Sequence, residues 1–195
     1  MLRYSTFLTI LAILMTQISW AQKTVEREHR ITKAQFPETA RSFISKKLVN
    51  PRKMRYYKEI DSSGVFYMAK FRKDRLHYSI GFDGEGKPKE INILIGEVDI
   101  PSDALATMKE HLHTSFKKYR IRNILQKYAL NGGKPLDTTL RNAFQNLLIP
   151  DLLYEILVAG KKNKFKADYV MLFDSEGNLI SEKASLPVNY DHVLY

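Results

Sequence analysis

The chain carries one pattern twice. Tyr78-Ser-Ile80-Gly-Phe82-Asp83-Gly-Glu85-Gly86 returns 91 residues later as Tyr169-Val-Met171-Leu-Phe173-Asp174-Ser-Glu176-Gly177. Upstream, Phe36-Pro37-x-x-Ala40-x-x-x-Ile44-x-x-x-Leu48 returns 64 residues later as Ile100-Pro101-x-x-Ala104-x-x-x-Met108-x-x-x-Leu112. The first pattern alternates apolar positions and ends in a turn, as a strand does; the second places apolar residues at helical spacing behind a proline suited to a first turn. The same two patterns in the same order predict two copies of one α+β unit. The two spacings differ by 27 residues (91 − 64), which predicts an insertion inside the second copy.

In the first unit, residues 34–98, a helix with the apolar stripe Ala40, Phe43, Ile44 and Leu48 is stopped by Asn50-Pro51. Strands are expected near 54–60, 65–72, 76–82 and 89–95, with turns at Asp61-Ser-Ser-Gly64 and Lys73-Asp74. The second unit, residues 99–185, has a helix stripe of Ala104, Met108, Leu112 and Phe116, then a strand near 120–128. The insertion spans about 130–152, and Asp137 or Thr138 is placed to cap a helix carrying Leu140, Phe144, Leu147 and Leu148. Strands near 153–159, 166–173 and 178–184 complete the copy, and an apolar tail, 186–195, is expected to dock on the body. The predicted fold class is α+β: two tandem helix-plus-antiparallel-sheet units, their sheets joined into one curved sheet with the helices on one side. Joining hides strand edges that would otherwise invite aggregation.

Residues 1–21 read as a signal peptide: Arg3, an uncharged run from Phe7 to Ile18, and small residues at Ser19 and Ala21 before Gln22. Cleavage between Ala21 and Gln22 is expected, with 22–33 a flexible leader and the mature chain periplasmic or secreted. No later apolar run reaches membrane-spanning length. The absence of cysteine excludes disulfides, thiolate catalysis and Cys-based zinc sites. The net charge of +10 raises nucleic acid as a partner, but export and the scattering of Lys46-Lys47, Lys117-Lys118 and Lys161-Lys162 argue against it. Attraction to an acidic partner or an anionic envelope surface fits the charge, as does solubility alone.

Helix with x-Pro-x-x-Ala, strand, hairpin, then Tyr-x-apolar-x-Phe-Asp-x-x-Gly, twice behind a signal peptide, resembles the PepSY-like family of exported bacterial proteins. These are related in fold to the β-lactamase inhibitor protein. The resemblance covers about residues 31–183. It implies non-enzymatic binding by a concave sheet, without naming a target or transferring any functional residue. The chain departs from the inhibitor protein in lacking cysteines and in carrying the insertion.

If the helices cover the Tyr-x-Ile-x-Phe face, alternation sends Phe66, Met68, Lys70 and Arg72, then His77 and Ser79, then Asp168, Val170 and Leu172 to the open face. Phe66, Met68, Val170 and Leu172 are apolar where an open face is normally polar, and Lys70 and Arg72 rim them. That is the composition of a partner-binding surface, unless the insertion helix or the tail covers it. The candidate partner-binding residues are therefore Phe66, Met68, Lys70, Arg72, His77, Val170 and Leu172.

His111-Leu-His113 does not read as a metal pair, because residues two apart on a helix point in nearly opposite directions. Asp83-Gly-Glu85-Gly86 and Asp174-Ser-Glu176-Gly177 lack EF-hand spacing and read as turns needing glycine at positive φ. Asp191-His192 has no Gly-x-Ser-x-Gly elbow to serve. No catalytic, cofactor or metal site is predicted. The expected function is an exported binding module for an envelope or extracellular protein. A small-molecule or lipid carrier, and an unrecognised envelope hydrolase built on His77 or His192, are the alternatives.

Overall fold

The computed structural model describes residues 27–185 apart from 62, 131–132 and 163–164. The expected signal peptide and tail, and His192 with the latter, lie outside the described residues. Among these residues nine strands form one antiparallel meander in chain order. They are β1 (Arg27–Ile31), β2 (Arg52–Asp61), β3 (Gly64–Lys73), β4 (Leu76–Phe82), β5 (Pro88–Ile95), β6 (Lys118–Ala129), β7 (Leu153–Lys162), β8 (Phe165–Phe173) and β9 (Leu179–Ser185). Three α-helices, α1 (Glu38–Lys47), α2 (Ser102–Ser115) and α3 (Leu136–Phe144), interrupt the meander. None of these helices is long and apolar enough to cross a membrane. The leader is corrected in part: Arg27–Ile31, charged and without periodicity, pairs with β2 from Arg27↔Ile60 to Ile31↔Tyr56.

The halves meet where β5 pairs with β6, from Glu90↔Ala129 to Ile95↔Ile124. All three helices lie on one face, because their apolar stripes share a single cluster with alternate residues of the strands. Ala40 and Ile44 of α1, Met108 and Leu112 of α2, and Leu140 and Ala143 of α3 are buried with Ile80, Ile91, Ile93, Ile156 and Met171. Each fully buried isoleucine of this set contributes about 1.5–3 kcal/mol of transfer free energy.

The two sequence echoes of each half are the two sides of one tertiary contact. In the first half, Asp83 Oδ1 accepts from the Glu85 and Lys87 backbone N–H groups, 3.1 and 2.9 Å. The turn so formed presses Gly86 (φ 80°) onto the start of α1, where an added Cβ would lie 2.8 Å from Pro37 Cβ. In the second half, Asp174 Oδ1 accepts from Glu176 and Asn178 N–H at 2.9 and 2.8 Å. Gly177 (φ 89°) lies against α2, where a Cβ would fall 2.3 Å from the Ala104 carbonyl oxygen. Proline precedes both helices, and its carbonyl accepts the first helical bond, from Arg41 and from Leu105. Register shifts recur at matching places, Gly81/Phe82 on β4 and Leu172/Phe173 on β8, where such an irregularity adds local twist.

The insertion helix joins the covered face. Phe144 meets Tyr78 edge-on at 5.6 Å, and Asp137 Oδ1 binds Lys47 Nζ at 2.6 Å, tying α3 to the end of α1. The segment after α3 is anchored by a buried polar network. Gln126 Nε2 donates to Asn146 Oδ1 (2.9 Å) and to the Tyr128 hydroxyl, which donates to the Leu147 carbonyl (2.9 Å). Burial pushes the Tyr128 phenol up to about 12, against the opposing hydrogen bond from Gln126. Leu140 and Phe144 pack as expected, whereas Leu147 and Leu148 are exposed beyond the helix end.

Candidate binding face

The open face is built by strand register. Paired residues project to the same side, so rows run across the strands. One row is Arg72, His77, Leu94, Leu125, Glu155 and Leu172. Another joins Asn123, Leu157 and Val170, and beyond it lie Arg120, Ala159 and Asp168, then Lys118, Lys161 and Lys166. On β6–β8 the half-buried side chains of Leu125, Leu157, Val170 and Leu172 therefore lead directly into a cationic margin. That margin frames a cleft of about 960 Å³ lined by Lys117, Lys118, Arg120, Arg122, Lys161 and Lys166. Its one carboxylate, Asp168, accepts from Arg122 at 3.2 Å.

The expected residues fall into two groups. Phe66, Met68, Lys70, Arg72 and His77 stand on β3 and β4, Val170 and Leu172 on β8, with β5, β6 and β7 between them. Five strand spacings separate β3 from β8, about 24 Å along the sheet. Phe66, Met68, Arg72, His77, Val170 and Leu172 are half-buried on the open face. Lys70 is not a rim cation: it is 5% exposed, with Nζ 2.8 Å from Glu28 Oε1 and 4.3 Å above the Tyr57 ring. Ser79 is buried beside Asn92 (3.4 Å). Leu94, Leu125 and Leu157 are the apolar residues that sequence reading missed. Their signal is the same period-2 alternation, on β5, β6 and β7, read on the face opposite the core.

Between the two groups runs a neutralised strip. Lys127 Nζ lies 2.8 Å from Glu155 and 3.3 Å from Glu90, and Asn92 donates to Glu90 at 2.8 Å. Desolvation would lower the Lys127 pKa, but the two carboxylates outweigh it and hold the ammonium charged. The insertion helix, on the other side of the sheet, does not cover any of this surface.

The remaining motifs resolve individually. His111 Nε2 meets Ser115 Oγ at 3.1 Å, whereas His113 Nε2 meets the Tyr119 hydroxyl at 3.3 Å, so the two imidazoles engage separate partners. Among the described residues no three His, Cys, Asp or Glu side chains gather as metal ligands. His77 faces Arg72 and Lys53; burial first, then these two cations, hold its pKa below the usual imidazole value.

No protein-family model and no curated protein matches the sequence. Solved structures do. A DUF2874 family protein from Bacteroides ovatus is 9% identical with a TM-score of 0.55, covering 80% of this chain and 94% of that one. A protein described as periplasmic from Bacteroides eggerthii is 11% identical with a TM-score of 0.53, covering 76% and 88%. A BLIP-like protein from Bacteroides fragilis is 14% identical with a TM-score of 0.49, covering 82% and 92%. At these identities the likeness is one of fold, and the chain has the α+β fold of the DUF2874 family structures over about four-fifths of its length.

Proposed function

We propose that the protein is an exported, non-enzymatic binding module that takes an acidic protein partner of the cell envelope on the open face of β6–β8. The observation that carries this reading is the half-exposed apolar strip Leu125, Leu157, Val170 and Leu172 beside Lys118, Arg120, Lys161 and Lys166. Apolar contact supplies affinity, and the cationic margin speeds encounter and selects an acidic surface. The signal-like N-terminus and the periplasmic description of the Bacteroides eggerthii neighbour support export. His77, facing two cations rather than a carboxylate, supports a role outside catalysis.

The test is a crosslinked pull-down from envelope extract, comparing the wild type with Leu157→Asp/Leu172→Asp. A protein enriched by the wild type, lost with a variant whose circular dichroism and melting are native, and released as salt rises is the expected result. Equal capture by a folded variant would sink the assignment of this face.

A further inference from the structure

A second cationic cleft, of about 560 Å³, lies where the hairpin β3–β4 meets the start of β2, at the opposite end of the open face from the β6–β8 strip. Arg52, Lys53, Arg72 and Arg75 line it together with Lys73 and Asp74, which pair with each other. Among the described residues no carboxylate pairs with Arg52, Lys53, Arg72 or Arg75. Arg52 and Arg72 are direct cross-strand partners, and Arg72 is in turn opposite His77. Like charges placed directly opposite destabilise a sheet.

The backbone bears a second cost at the same place. Five non-glycine residues among those described have positive φ, and four of them line this cleft: Asn50 (51°), Lys53 (54°), Asp74 (47°) and Arg75 (73°). Asp74-Arg75 forms a two-residue hairpin loop with both φ positive, a turn that favours glycine at its second position. Lys53 sits inside the register shift between Arg52 and Arg55. Asn and Asp visit this region readily, so the strain falls on Lys53 and Arg75, where a chain selected for folding alone would carry glycine or asparagine. Repulsion and backbone strain thus coincide at one concave site, which is the pattern of a site whose shape serves a ligand.

We propose that this cleft binds a phosphate-type oxyanion. Three guanidinium forks and an ammonium match a tetrahedral group that carries close to two negative charges and accepts several hydrogen bonds, better than a single carboxylate does. The phosphate belongs either to a soluble phosphoester or to a lipid headgroup; Val49, 72% exposed at the margin of the cleft, would meet the bilayer surface in the second case. The site shares no residue with the β6–β8 strip and stands if that assignment fails.

His77 is the built-in reporter, because an anion neutralising Arg72 and Lys53 must raise its pKa. Nuclear magnetic resonance titration of the His77 ring, assigned with His77→Gln, is run in sodium phosphate and in sodium chloride of equal ionic strength. The expected result is a saturable rise of the His77 pKa in phosphate only. Arg72→Gln and Arg75→Gly should each weaken phosphate about tenfold, the loss of one charge-assisted contact. Arg75→Gly should also raise the melting temperature, since glycine relieves the turn, so lost binding there is not lost folding. Vesicles of phosphatidylcholine with phosphatidic acid form the second arm. Competition between these vesicles and free phosphate for the His77 response assigns the lipid source; phosphate binding without vesicle binding assigns a soluble phosphoester. An unchanged His77 pKa in phosphate would overturn the proposal. So would binding that Lys166→Gln weakens as much as Arg72→Gln, or a response to a glutamate-rich peptide and none to phosphate.

Discussion

Gly177 and Gly86 show how one atom decides a contact. Both have positive φ, so an added side chain strains the turn regardless of space. The neighbours differ, however. A Cβ at Gly177 meets the Ala104 backbone carbonyl at 2.3 Å, which cannot yield without moving α2. At Gly86 the nearest atom is Pro37 Cβ at 2.8 Å, with the Ala40 nitrogen next at 3.1 Å. Gly177→Ala is therefore expected to cost about 2–4 kcal/mol, and Gly86→Ala less, about 1–3 kcal/mol. Urea denaturation of the two variants checks the order; a Gly86 variant less stable than the Gly177 variant would contradict the packing argument.

At the scale of elements, α3 and the segment behind it are held by polar contacts as much as by Leu140 and Phe144. Tyr128 is central: its hydroxyl joins Gln126 to the Leu147 carbonyl inside the core. Tyr128→Phe leaves those groups short of a partner and should cost about 1–3 kcal/mol. The sign of the pH effect follows from the direction of the shift. The folded pKa, about 12, exceeds the ordinary value of 10.0, so the neutral phenol favours the folded state. Its contribution is complete below pH 10 and is lost as pH rises from 10 toward 12. Tyr78 and Tyr154, also raised chiefly by burial, add to the same window. Denaturant midpoints measured from pH 9 upward should fall more gently for Tyr128→Phe than for the wild type; parallel curves would remove Tyr128 from the account.

On the scale of the whole molecule, one sheet and one core cluster span both halves. The β5–β6 pairing contributes Ile91 and Ile93 to the same interior as Ile124 and Tyr128. Neither half closes its core without the other, so unfolding should be a single transition despite the repeated pattern. Coincident urea curves from far-ultraviolet circular dichroism and tyrosine fluorescence are expected, and two separated midpoints would mean independent halves. Trp20 lies in the expected signal peptide, leaving tyrosine as the probe.

What the chain alone determined is the local grammar. The spacing Ala40-Ile44-Leu48 and Ala104-Met108-Leu112 placed both long helices, and alternation placed the strands of the meander. Aspartate and glycine at Asp83-Gly86 and Asp174-Gly177 placed two matching turns. These are properties of neighbouring residues, set by helix and strand periods and by which residues tolerate positive φ. Only the tertiary structure decided the rest. Strand β1 carries no periodic signal and exists because β2 offers it an edge. The insertion helix chose the covered face through Phe144 and Asp137. Lys70, patterned as a surface cation, found Glu28 and Tyr57 and became buried. Leu157 came opposite Val170 and Asn123, one row from Arg120, and Arg52 came opposite Arg72, through register between strands distant in sequence. Such juxtapositions depend on how the strands pair and twist, which no local pattern encodes.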